Sequence, residues 1–183
     1  MSRITAINHE NAQGKARDLL DAVQAKLGIT PNLMKTLAHS PTVLEAYLNF
    51  NGTLGTTLNA RLREQISVLT AEENRCGYCL SAHTFLGEKA GLHGDDLAGA
   101  REAKSADAKT DAGLKFAQVV LKKHGSVSDA DIEAVRAAGY NDGEIAEIVA
   151  NTALNVFTNY FNNVAETEID FPKVELLTKS AVA

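Results

Sequence analysis

Tryptophan is absent from this sequence of 183 residues, and aromatic residues make up only 5% of it. That is too few for a platform that stacks nucleic-acid bases. A basic surplus is missing as well: the formal charge is −5 at pH 7, so counterion release from phosphates cannot drive nucleic-acid binding. The 2 cysteines cannot build a disulfide scaffold. No run approaches the ~18 apolar residues that a membrane span needs. The richest stretch, 145–161, is broken by Glu147, Asn151, Asn155 and Asn159. The first ten residues lack the apolar core of a secretory signal. These absences lead to the expectation of a soluble, cytoplasmic protein, in a compartment where thiols stay reduced.

What is present is ordinary for a globular chain. Hydrophobic residues make up 45% and charged residues 22%, which excludes intrinsic disorder. A chain of this length buries roughly 70% of its unfolded surface and needs no metal or disulfide staple. One domain over 1–183 is expected, with its core motif within 59–92 and a C-terminal tail at 167–183.

No run alternates long enough for a strand, and Asn51-Gly52 and Asp142-Gly143 stand between helical patterns rather than strands. Helix signals dominate. Thr30-Pro31 and Ser40-Pro41 place a cap residue before proline. Ser128 with Asp131, and Asn141 with Glu144, have capping-box spacing. Gly28, Gly91, Gly125 and Gly139 follow periodic segments, where a left-handed residue ends a helix. The pattern predicts helices at 12–27, 32–38, 42–51, 59–74, 77–90, 95–103, 107–123, 129–138 and 142–166. The fold class is all-α. In the last helix Ile145, Ile148, Val149, Thr152, Val156 and Tyr160 form one stripe, and Leu154, Phe157 and Phe161 lie on another face. Two apolar faces suit either a central helix or a subunit contact, and a homo-oligomer is expected.

Both cysteines fall in Cys76-Gly77-Tyr78-Cys79, and His83 follows four residues later. At roughly 100° per residue, Cys76, Cys79 and His83 share a ~60° arc of one helix face. Residues three apart on a helix come close enough for a disulfide after modest adjustment. A thiol near a helix N-terminus and beside histidine favours its thiolate, the nucleophilic form. The dipole favours Cys76, which is nearer the N-terminus; the i,i+4 neighbour His83 favours Cys79. Other readings remain open at this point. The cysteines could be small core residues. With His83 they could supply three zinc ligands, needing Glu64, His93 or His124 as a fourth. Periodicity makes Glu64 a solvated acid, because Leu62, Ile66 and Leu69 form the buried stripe of its helix. His9, His39, His93 and His124 are expected to be structural or solvated.

The pattern Glu64, eleven residues, Cys76-Gly77-Tyr78-Cys79, three residues, His83 resembles the alkylhydroperoxidase D (AhpD) and carboxymuconolactone decarboxylase superfamily, in its peroxidase-related branch. Pro31-Asn32-Leu33, Ala38-His39-Ser40-Pro41 and the late helix ending near Phe171-Pro172 extend the resemblance over most of the chain. It implies a helical, oligomeric protein, commonly a trimer or hexamer, that reduces hydroperoxides through a Cys–Cys disulfide. It assigns Cys79 as the attacking thiol, Cys76 as the resolving one, and Glu64 with His83 as a proton relay. An external dithiol, with a lipoyl-bearing protein as one candidate, would restore the thiols. No organic cofactor or metal is implied. One departure stands out: in the family's best known hydroperoxidases a second histidine precedes the second cysteine, and here that residue is Tyr78. A phenol titrating near ~10 does not replace imidazole near neutrality, so a shorter or water-mediated relay is expected. Lactone decarboxylases of the superfamily do not depend on a cysteine pair, so Cys76 and Cys79 argue against that chemistry. The alternatives are a general disulfide reductase or isomerase, a redox-sensing oligomer without turnover, and a metal-binding module.

Overall fold

A computed structural model describes residues 2–178. Among them the regular structure is helical throughout, with no strand. A 3-10 turn (His9–Asn11) precedes α1 (Gly14–Leu27), α2 (Asn32–Leu37), α3 (Pro41–Leu54), α4 (Ala60–Glu73) and α5 (Gly77–Lys89). Then follow α6 (Gly94–Arg101), α7 (Ala108–Lys122), α8 (Asp129–Ala137) and α9 (Asp142–Ala165). The expected all-α class is what forms. The largest boundary difference is the end of α3, at Leu54 rather than 51. None of the helices is long and apolar enough to cross a membrane among the described residues.

Local chemistry sets most helix ends. Ser40 Oγ accepts from Val43 N at 3.4 Å, with Pro41 in the first helical position. The capping boxes at Ser128/Asp131 and Asn141/Glu144 form as their spacing predicts. Gly28 closes α1 at φ 75° and donates its N–H to Gln24 O, a conformation that costs a Cβ-bearing residue about 1 kcal/mol or more. Thr30 does not cap. Its hydroxyl donates to Gln24 Oε1 at 2.7 Å, and the first N–H of α2, on Asn32, goes to Asp170 Oδ2 at 2.7 Å. A carboxylate about 140 residues away in sequence therefore takes the capping role.

α4 is the central helix, packed against α5, α6, α7 and α9. Leu62, Ile66 and Leu69 are buried as their stripe predicts, but so are Gln65, Ser67, Val68, Thr70, Ala71 and Glu72. This enclosure corrects the expectation for Glu64. Gly87 of α5 has no side chain, and α5 settles so close that a Cβ there would stand 3.7 Å from Glu64 Cβ. Glu64 is left with 20% of its side chain exposed.

α9 differs from the expected pattern. Ile145, Ile148, Thr152 and Leu154 are buried, whereas Val149, Phe157 and Tyr160 face outward. The inner face is completed by Asn151, Asn155, Asn159 and Asn162. Two of these amides bond back to their own helix: Asn151 Nδ2 donates to Glu147 O at 2.8 Å, and Asn155 Nδ2 to Asn151 O at 2.9 Å. Back-bonding offsets the cost of burying an amide, so hydropathy alone assigns this face wrongly.

The tail is packed as far as it is described. Asp170 Oδ1 accepts from the Tyr78 hydroxyl at 2.9 Å, and Val174 N donates to Ser81 Oγ at 3.1 Å. Leu177 N donates to Glu72 Oε1 at 2.9 Å. Residues 179–183 of the expected tail lie outside the described residues.

Candidate active site

The site begins at the corner between α4 and α5. Asn74 ends α4 and Arg75 turns the chain at φ 56°, a left-handed conformation that costs a non-glycine residue about 1–3 kcal/mol. The Arg75 guanidinium offsets this by donating to Glu72 Oε1 at 3.2 Å and Leu177 O at 2.6 Å. Cys76 N bonds to Ala71 O at 2.9 Å, which aims the next residues into α5. Cys76 thereby becomes the N-cap of α5, and its Sγ accepts from Cys79 N at 3.4 Å.

Cys79 lies in the first turn of α5 with its sulfur inside the protein. Cys76 is 0% exposed and Cys79 2%. Asn162 Nδ2 donates to Cys79 Sγ at 3.2 Å. Burial by itself would push the Cys79 thiol up. It is outweighed by the S–H of Cys76 donating to Cys79, by the charge of His83, and by the amides of Asn162 and Asn159. Cys79 is lowered to about 6. Cys76 moves the opposite way: its hydrogen bond to Cys79, its burial and the charge on Cys79 all hold its proton on. Both directions favour the charge on Cys79 and the proton on Cys76.

His83 Nδ1 pairs with Glu64 Oε2 at 2.8 Å. Burial pulls the imidazole down, but the charge and hydrogen bond of Glu64, together with the charge of Cys79, raise it overall. Glu64, His83, Cys79 and Cys76 thus form one connected electrostatic unit, with Glu64 from α4 and the others from the start of α5. Among the described residues, no three His, Cys, Asp or Glu side chains converge as metal ligands.

A cleft of about 210 Å³ leads towards this unit. Its walls are Leu27, Ile29, Leu33, Met34, Phe85, Leu86 and Phe171, and its polar end is Tyr47, Asn51, Glu64 and His83. His83, Glu64, Tyr47 and Asn51 also line a polar chamber of about 40 Å³, together with Arg63, Ser67, Asn151, Asn155 and Thr158, which is room for about one water. Tyr78 lines the apolar cleft as well, but its hydroxyl is engaged elsewhere. Its hydroxyl accepts from Leu33 N at 3.1 Å while donating to Asp170. Burial, with the neighbouring charges of Asp170 and Cys79, pushes its titration far up despite the Leu33 bond. It ties α2, α5 and the tail together. The other histidines lie elsewhere: His9 pairs with Asp21, His39 Nε2 meets Thr5 O, and His93 caps α6.

Asn159, Asn162, Tyr47 and Asn51 were not apparent as site residues from sequence. The readable signal is Asn151, Asn155 and Asn159 recurring at helical spacing, which hydropathy registers only as an interruption of an apolar run; Asn162 lies just beyond that run.

Comparison with known proteins agrees with this architecture. The sequence profile described as "Carboxymuconolactone decarboxylase family" matches residues 41–122. The crystal structure of an alkylhydroperoxidase AhpD core, an uncharacterized peroxidase-related protein from Ralstonia eutropha JMP134, superposes with a TM-score of 0.80. It has 30% identity over 92% of each chain. A peroxidase-related protein from Silicibacter sp. TM1040 has a TM-score of 0.78 and 25% identity over 90% of this chain and 91% of that one. The debrominase Bmp8 shares the fold at a TM-score of 0.76, with 18% identity over 91% of each chain. No curated protein matches the sequence.

Proposed function

The chain belongs to the AhpD-like and carboxymuconolactone decarboxylase superfamily, and we propose that it is a thiol-dependent peroxidase that reduces alkyl hydroperoxides or hydrogen peroxide in an antioxidant role. The observation that carries this reading is the buried cysteine pair at the start of α5, with Asn162 Nδ2 3.2 Å from Cys79 Sγ and the His83–Glu64 pair nearby, surroundings that favour a thiolate at Cys79. A low-titrating thiolate is the form that attacks an O–O bond.

The cycle then follows from the order of the residues. Peroxide enters the apolar cleft and reaches its polar end at His83 and Glu64. The Cys79 thiolate attacks the terminal peroxide oxygen and the O–O bond breaks. The leaving alkoxide or hydroxide takes a proton from His83, giving alcohol or water, and Cys79 becomes a sulfenic acid. Cys76 attacks the Cys79 sulfur, the S–O bond breaks, and water leaves with the Cys76 proton as the disulfide forms. Glu64 relays protons through His83. An external dithiol, such as a lipoyl-bearing protein, reduces the disulfide by exchange and is itself oxidised. Assembly into a trimer or hexamer belongs to the same reading, supported by the outward Phe50, Phe157, Tyr160 and Val164.

Peroxide consumption with dithiol supplied tests it. The expected result is turnover that Cys79→Ser abolishes, and a mass loss of about two hydrogens after one equivalent of peroxide. Unchanged turnover in Cys79→Ser would overturn the assignment. Faster reaction with a generic disulfide than with any peroxide would replace it with a disulfide reductase. A change of oligomer size on oxidation without turnover would replace it with a redox sensor.

A further inference from the structure

We propose that Asn159 and Asn162 form an amide cradle that receives the negative charge of Cys79, making them part of the nucleophile's machinery rather than only of the helix core. The proposal rests on Cys79 acting as the nucleophile. Asn159 and Asn162 stand three residues apart on α9 and are both buried, so they share one inward face of that helix. Asn162 Nδ2 lies 3.2 Å from Cys79 Sγ. Asn159 is fully buried, and its Nδ2 finds no acceptor of normal geometry. It is nonetheless among the groups that favour the ionised form of Cys79.

The orientation of Asn159 is set from behind. Its Oδ1 accepts from Asn74 Nδ2 at 3.0 Å, so the oxygen is occupied and the amino group must point the other way. Asn74 is itself anchored, since its carbonyl accepts from Asn163 Nδ2 at 3.0 Å. Asn74 also lies two residues before Cys76. The same contacts therefore fix the cysteine turn against α9 and aim the amide.

A fully buried donor without a partner is costly, and proteins rarely leave one unpaired. A neutral thiol is a weak acceptor and gives it little. A thiolate accepts a charge-assisted bond, so the unpaired donor is a cost of the thiol state that disappears on ionisation. The other groups that act on this sulfur are Cys76 and Tyr78 within the α5 turn, His83 further along α5, Glu64 of α4 behind His83, and Tyr47 of α3. Of these, Cys76 and His83 supply a proton or positive charge. The α9 amides are uncharged and do not titrate, so their contribution persists at any pH.

The test is the pH titration of the thiolate ultraviolet absorbance in Cys76→Ser, where one sulfur reports, with and without Asn159→Leu or Asn162→Leu. Loss of one charge-assisted bond is expected to raise the midpoint by about one to two pH units, with the helical circular dichroism retained. A folded pair of variants whose midpoints match the parent's would overturn the cradle. If a leucine variant fails to fold, the wild-type protein decides: the Asn159 and Asn162 side-chain amide resonances must shift with the thiolate midpoint, and static resonances overturn the proposal. No peroxide is used, so the outcomes separate. A raised midpoint in a protein without peroxide turnover keeps the cradle and removes the peroxidase reading. An unmoved midpoint with full turnover does the reverse.

Discussion

Replacing His83 with glutamine tests the link between the charge pair and the sulfur most directly. With Cys79 at about 6, thiolate outnumbers thiol by about ten to one at pH 7, whereas an ordinary thiol near ~8.5 is only a few per cent ionised. His83→Gln keeps a polar side chain but removes the positive charge. The Glu64–His83 pair is only about one-fifth exposed, with side chains at 20% and 22%, so solvent screens the charge little. A charge-assisted contribution of about 1.5–3 kcal/mol corresponds to one to two pH units. The thiolate fraction at pH 7 then falls from about nine-tenths to between about one-half and one-tenth. The single-turnover rate with peroxide falls about two- to tenfold. The assay is that rate followed from pH 5 to 9. Raising the pH restores thiolate, so the variant should regain most of its deficit near pH 9; whatever loss persists there measures proton donation to the leaving oxygen. Glu64→Gln should shift the profile the same way, because it removes the charge that raises His83. A profile whose midpoint does not move in His83→Gln would refute the electrostatic argument.

Further expectations concern stability. Cys79 titrates below its unfolded value, so its contribution to reduced-protein stability is present above that value and is lost as pH falls through about 6. The Tm gap between wild type and Cys79→Ser should therefore widen from pH 6 to 9. His83 is raised, so its contribution is present below its ordinary value and is lost as pH rises through the folded one. The gap between wild type and His83→Gln should narrow over that window. Glu72, with 8% of its side chain exposed, holds Arg75, Arg101 and the Leu177 N–H. Glu72→Ala strands the Arg101 charge and should cost about 3 kcal/mol in denaturant unfolding, with faster amide exchange at 175–177. At Gly113 a Cβ would stand 2.5 Å from the Tyr140 hydroxyl oxygen, in a buried contact between α7 and the α8–α9 connection. Gly113→Ala should cost about 1–3 kcal/mol by thermal melting, and Tyr140→Phe should recover part of it.

The cysteine segment and the helices could be read from the sequence because the features that define them are local. Helix caps, terminating glycines and 3.6-residue periodicity act within a few residues, and the spacing from Cys76 to Cys79 to His83 is set by one helix. Three readings failed where distant segments intervened. Thr30 lost its capping role to Asp170 from the tail. Glu64 was assigned to solvent by its own helix's periodicity, but a glycine on α5 brought that helix over it. The asparagines of α9 looked like breaks in an apolar stripe because hydropathy does not record that an amide can bond to its own helix or to a sulfur.

Sequence by itself determined that this chain is helical and that two thiols and an imidazole share the start of one helix, since both follow from short-range geometry. Only the tertiary structure decided which thiol has surroundings that favour its ionised form. That depends on a carboxylate from α4 and amides from α9 gathering around one buried sulfur. Electrostatic free energy in a buried site follows distance in space, and distance along the chain does not record it.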